Sequence, residues 1–191
     1  MRLSIWALAV AAGGAAGVAA AQEPFDVGEA VAVCAGCHGE DGVPVEPDYP
    51  VIWGQQFYYL YVQLRDYKSG LRANEIMGPQ VADFDRDQLK ALATFFSEKT
   101  WTKVPADVDA DNVAKGEAAA SSGECSQCHN TYMGDSRIPR LAGQQQAYLA
   151  RTMHEYKSKQ RNNDATMGSL MQTFDDTEID ALADFLAALG R

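Results

Sequence analysis

The chain has 191 residues, 47% of them hydrophobic, and a formal net charge of −10. So acidic a surface repels nucleic acid and anionic lipid headgroups and favours a partner with a basic patch. The length allows one mid-sized domain or two small ones.

Met1-Arg2 is followed by a small, apolar run from Leu3 to Ala21 that ends Ala19-Ala20-Ala21. One basic residue, an apolar centre and a small-residue end predict a secretory signal peptide over residues 1–21, cleaved before Gln22. A permanent membrane anchor is the rival reading, disfavoured by Gly13-Gly14 and by the small-residue end. No later segment is long and apolar enough to span a bilayer. Removing Arg2 with the leader takes the net charge from −10 to −11.

Next comes Cys34-Ala35-Gly36-Cys37-His38, and the pattern recurs as Cys125-Ser126-Gln127-Cys128-His129. Two cysteines three positions apart with a histidine directly after form a c-type haem attachment motif. Each thiol can add to one haem vinyl group as a thioether, and the histidine then presents Nε2 to the iron. The competing readings are disulfides, a zinc site or a redox dithiol. A zinc ribbon places its cysteine pairs about 15–20 residues apart, whereas these motifs begin 91 residues apart. A redox dithiol follows a strand in a βαβ pattern, and none is visible. An exported chain meets an oxidising compartment where disulfides form, but the adjacent histidines favour haem. The expectation is two covalently bound haem c groups in a periplasmic protein, because in bacteria this attachment takes place outside the cytoplasm.

The motifs belong to a longer repeat. Gly28-Glu29-Ala30 and Gly116-Glu117-Ala118 precede them. Pro50-Val51-Ile52-Trp53-Gly54-Gln55-Gln56 corresponds to Pro139-Arg140-Leu141-Ala142-Gly143-Gln144-Gln145, and Tyr67-Lys68-Ser69 to Tyr156-Lys157-Ser158. Arg72, Asn74, Met77 and Phe84-Asp85 correspond to Arg161, Asn163, Met167 and Phe174-Asp175. A period near ninety residues is too long for a solenoid and suits a duplicated domain.

Each half reads as helical. Helices are predicted over about 56–68 and 145–157, with Tyr59, Leu60, Gln63 and Leu64 inward in the first. Asp85-Arg86-Asp87-Gln88 and Asp175-Asp176-Thr177-Glu178 are capping-box starts. The apolar stripes Leu89, Leu92, Ala93, Phe96 and Ile179, Leu182, Ala183, Leu186 follow them. Short helices should precede each haem motif, with Gly28 and Gly116 there for close helix approach. No segment alternates as a strand does. The acidic, proline-broken stretch around Val104-Pro105 reads as a linker. The division predicted is 22–103, a linker over 104–110, and 111–191.

An electron-carrying haem iron usually has methionine opposite histidine. Met77 and Met167 follow their histidines by 39 and 38 positions, seven before each Phe-Asp. Their ordinary fate would be the core. Met171 is the local rival in the second half, with Met133 and Met153 behind it. His154, the one histidine outside the motifs, is read as a surface or propionate-side residue, with bis-histidine ligation as the alternative. A backbone carbonyl at Pro50 or Pro139 can accept the histidine Nδ1–H, or these are turn prolines. Arg72, Arg161, Tyr59 and Tyr148 can bond haem propionates or be ordinary surface and core residues.

Taken together, Cys-x-x-Cys-His, Pro-x-x-x-Gly-Gln and a late methionine before a capped helix, all present twice, resemble the dihaem cytochrome c4 family over essentially the whole mature chain. The resemblance implies an all-α fold of two tandem class I cytochrome c domains related by a pseudo-twofold axis. It implies thioethers at Cys34, Cys37, Cys125 and Cys128, and axial pairs His38 with Met77 and His129 with Met167. It also implies periplasmic electron transfer, often to a terminal oxidase. Glu98-Lys99-Thr100-Trp101 is similar to the connecting stretch of the dihaem subunit of flavocytochrome c sulfide dehydrogenases. A free carrier, an electron-accepting subunit of a flavoprotein and a dihaem peroxidase are thus the candidates. A methionine in both halves speaks against the peroxidase, which needs an open haem.

Overall fold

The computed structural model describes residues 25–189, so the expected signal peptide lies outside the described residues. These residues form nine helices and no strand: α1 (Val27–His38), α2 (Phe57–Ser69), α3 (Met77–Val81), α4 (Arg86–Ser97), α5 (Ala110–Ser122), α6 (Cys125–Cys128), α7 (Gln146–Lys157), α8 (Ala165–Met171) and α9 (Asp176–Ala188). The predicted long helices appear within one residue of their expected starts.

Local chemistry sets the ends. Asp85 accepts from the backbone of Asp87 and Gln88, and the Gln88 side chain accepts from Asp85 N–H. Asp175 and Glu178 do the same for α9. Each box satisfies orphan donors of a first turn. The stripes behind them are buried as the periodicity requires: Leu89, Leu92, Ala93 and Phe96 on α4, and Ile179, Leu182, Ala183 and Leu186 on α9. In the first half, α4 packs on α1 and α2; in the second, α9 packs on α5 and α7. Two hydrophobic clusters result, one per half. Leu60, Leu92, Ala93 and Phe96 centre the first, and Leu149, Met171, Ile179 and Leu182 lie in the second.

The halves differ before the haem motif. Helix α1 runs unbroken through Cys34 and Cys37 to His38. Its counterpart stops at Ser122, and Cys125–Cys128 form a separate turn after Glu124, whose φ is +53°. Gly28 stands six residues before Cys34, but Gly116 stands nine before Cys125. Three extra residues in a continuous helix would turn the motif by about 300°. The break absorbs them. The two glycines differ as well. A Cβ on Gly116 would collide with the Ala181 carbonyl of α9, so α5 and α9 meet there at backbone range. A Cβ on Gly28 would meet only Asp26 Oδ1, at 3.1 Å. Gly28 lies in the first turn of α1, by its cap, rather than at a helix crossing, so the expected close approach holds for Gly116 alone.

Residues 100–109 form no helix, and Ala110 opens α5. The halves are joined more firmly by side chains than by this stretch. Gln55 Oε1 accepts from Arg140 N–H at 2.8 Å and its Nε2 donates to Arg140 O at 3.0 Å. Gln144 treats Val51 identically, at 2.7 and 2.9 Å. Val51 and Arg140 are equivalent in the repeat, so the contact is self-complementary, as a twofold interface must be. Both glutamines are only 3% exposed.

Candidate haem site

Each motif histidine ends in the same environment. His38 Nδ1 lies 2.9 Å from Pro50 O, and His129 Nδ1 lies 3.0 Å from Pro139 O. A carbonyl only accepts, so Nδ1 carries the proton and Nε2 the lone pair. Burial lowers the affinity of both rings for a second proton; the Pro50 bond opposes this at His38, as the Pro139 bond and nearby Asp164 do at His129. Both rings are therefore neutral imidazoles near pH 7, with Nε2 free to bind a metal. The proline carbonyls settle the question left open between an acceptor and a simple turn.

All four cysteines are free thiols. Burial raises Cys34 and Cys125 above the ordinary thiol range, with the neighbouring Cys37 and Cys128 adding to it. A redox dithiol needs the opposite shift. Among the described residues, no group of three or more His, Cys, Asp or Glu is arranged to hold a metal ion on its own. Zinc is thus without a ligand set.

Both motifs, with Met77 and Met167, line one cavity of about 1260 Å³ between the halves. The two methionines are positioned alike. Met77 N–H donates to Asn74 Oδ1 at 2.8 Å, and Met167 N–H to Asp164 Oδ1 at 2.9 Å. Both are half-buried. Met171 also borders the cavity but is enclosed in the second core, as is Met153, while Met133 is exposed. His154 sits on the outer side of α7, 2.9 Å from Asp180 Oδ1 and 3.7 Å from Asp176 Oδ1. It does not line the cavity.

The cavity also meets a buried polar cluster that sequence reasoning left undecided. Gln63 Oε1 accepts from Arg72 Nη1 (2.9 Å), Arg161 Nη2 (2.8 Å) and Asn163 Nδ2 (3.2 Å). Arg72 Nη2 donates to Tyr148 OH at 3.2 Å, and Arg161 Nε to Asn163 Oδ1 at 3.0 Å. The guanidiniums stack on Tyr67 and Tyr156, 4.6 and 4.4 Å from the ring centres. Both arginines are buried, and none of their hydrogen-bond acceptors is a carboxylate. The buried carboxylate beside them, Asp66, is bonded to Arg65 and Asn163 instead. Burial opposes ionisation of Tyr148, yet Arg72 and Arg161 outweigh it and pull the phenol down to about 7. Two buried cations facing a cavity demand an anion. Haem fits all of this: paired thiols, a free Nε2, an apolar slot with methionine on its wall, and cations for the propionates.

Known proteins agree. A family profile described as Cytochrome c matches residues 113–190. A cytochrome c4 from Thiocapsa roseopersicina is 32% identical over 179 residues, covering 86% of this chain and 92% of the relative. A thiosulfate dehydrogenase electron acceptor from Stutzerimonas stutzeri (strain A1501) is 30% identical, over 85% of this chain and 81% of its own length. The crystal structure of reduced recombinant cytochrome c4 from Pseudomonas stutzeri superimposes with a TM-score of 0.78 at 26% identity, covering 87% of this chain and all of that one. The fold is therefore a pair of all-α cytochrome c domains, and the chain belongs to the cytochrome c4 family of haem c electron-transfer proteins.

Proposed function

We propose that the chain is a periplasmic dihaem cytochrome that carries single electrons between redox proteins. Cys34 and Cys37 would hold one haem by thioethers, and Cys125 and Cys128 the other. His38 with Met77, and His129 with Met167, would bind the two irons. Bound haem supplies one-electron chemistry at its iron, and a methionine opposite histidine favours the reduced state. The proline carbonyls orient the histidines and raise their basicity. Arg72 and Arg161 take the propionates. The observation that carries this reading is the doubled set of thiol pair, carbonyl-bonded histidine and capped methionine on the walls of one cavity.

The division proposed is a leader over 1–21, domains 22–103 and 111–191, and a linker at 104–110, supported by the helix-free stretch 100–109. No helix among the described residues is long and apolar enough to cross a membrane. The net charge of −10 suits a partner with a basic docking patch, a terminal oxidase or a flavoprotein. The similarity to a thiosulfate dehydrogenase electron acceptor supports a second reading, an accepting subunit of an enzyme whose catalytic chain is separate.

A reductive titration of the native protein separates the possibilities. Two electrons per chain, taken up at two potentials with the c-type α-band growing at each step, are the expected result. Uptake of one electron, or none, rejects the dihaem reading. Stoichiometric co-purification of a catalytic chain moves the assignment from free carrier to subunit.

A further inference from the structure

The two haem motifs present different faces to solvent. Residues 26–64 contain six carboxylates (Asp26, Glu29, Glu40, Asp41, Glu46, Asp48) and no lysine or arginine. The corresponding residues 114–153 contain three carboxylates and four basic residues, Lys115, Arg137, Arg140 and Arg151. Net charge is thus −6 around the first motif and +1 around the second. All six acidic residues of the first set are exposed. Arg151 lies 3.7 Å from Asp48 and donates to its carbonyl at 3.0 Å, and Arg65, just past this stretch, lines the cavity with Glu46 and Asp48 but is paired with Asp66. Glu29, Glu40, Asp41 and Glu46 form no salt bridge among the described residues.

Apolar side chains stand among these carboxylates: Val43 is 40% and Val45 58% exposed, and Val33, 63% exposed, is at the edge of the cavity assigned to haem. Val33 adjoins Cys34 and lines the cavity, while Val45 N–H donates to Cys37 O at 3.0 Å. The loop after the second motif is already occupied within the molecule. Met133 O accepts from Gln56 Nε2 at 3.2 Å, and Ser136 O from Tyr59 N–H at 3.3 Å. The first half therefore contacts the second motif's loop, whereas among the described residues the second half reaches the first motif's loop at Asp48, through Arg151, and leaves the three valines exposed.

We infer that the valine-centred, carboxylate-rimmed face of the first motif is where a lysine-rich redox protein docks, and that the first domain is the port through which electrons exchange with it. The inference rests on the dihaem reading. An apolar centre excludes water while a charged rim steers and orients the partner, the usual division of labour in a transient interface. One electron crosses per encounter. The donor centre is oxidised by one unit and the acceptor reduced by one, with no bond or proton exchanged.

The test uses the isotope-labelled holoprotein and a lysine-rich monohaem cytochrome whose iron is replaced by redox-inert zinc. Haem content and electron uptake of the unaltered protein are read first, so failure of the dihaem reading is seen separately. Amide shifts on adding the zinc protein should map to residues 29–48 and weaken as salt rises. Glu40→Lys with Glu46→Lys should weaken binding about tenfold or more at low ionic strength. Glu117→Lys with Asp135→Lys, the same charge change around the second motif, should alter it less than about twofold. Val45→Lys should weaken binding even if the double variant misfolds, and an intact α-band reports folding of each. Shifts centred on residues 124–137, equal weakening by both double variants, or absence of binding by the unaltered protein overturns the inference.

Discussion

At the scale of single residues, Met77 and Met167 stand apart from the other methionines by what holds their backbones. Asn74 and Asp164 cap the turns that carry them, whereas Met171 is 1% exposed within the second core. Met77→Ala and Met167→Ala should each abolish about half of the near-infrared methionine-to-iron absorption and lower one potential. Met171→Ala should leave that band in place and cost about 2–5 kcal/mol of stability, read by chemical denaturation.

At the scale of elements, the repeat in sequence is a repeat of packing with local exceptions. The α5–α9 crossing depends on Gly116, because any side chain there meets the Ala181 carbonyl. Gly116→Ala should destabilise by about 1–3 kcal/mol, while Gly28→Ala should lie within about 0.5 kcal/mol of neutral, both by thermal or denaturant unfolding. These crossings were half legible. Capping boxes and apolar stripes are local signals, and Asp85, Leu92, Asp175 and Leu182 took the places their spacing requires. Whether Gly28 or Gly116 meets another helix depends on a partner some sixty residues away, which no local pattern encodes. The break at Glu124 was likewise readable only as a length difference between the halves.

At the scale of the whole molecule, the residues proposed to hold haem stand out in the sequence because covalent attachment demands fixed spacing, and duplication repeats it. The interface does not. Gln55 and Gln144 were visible as matching residues, but their partners lie 85 and 93 positions away. Arg72 and Arg161 could be read either as propionate partners or as ordinary residues, and only the fold shows both buried beside Gln63, with Arg72 also bonded to Tyr148. The glutamine pair makes a quantitative claim about the assembly. Gln144→Ala strands the buried Val51 N–H and should cost about 1–3 kcal/mol, with Gln55→Ala doing the same at Arg140. Unfolding of the single and double variants should give non-additive losses if the two contacts form and break together. Whether one exported chain carries two haems is read from the intact mass of the protein purified from the periplasm. The expected mass is that of a chain beginning at Gln22 and heavier by two haem groups that survive denaturation. One haem per chain, or none with the four cysteines joined as disulfides, would contradict it.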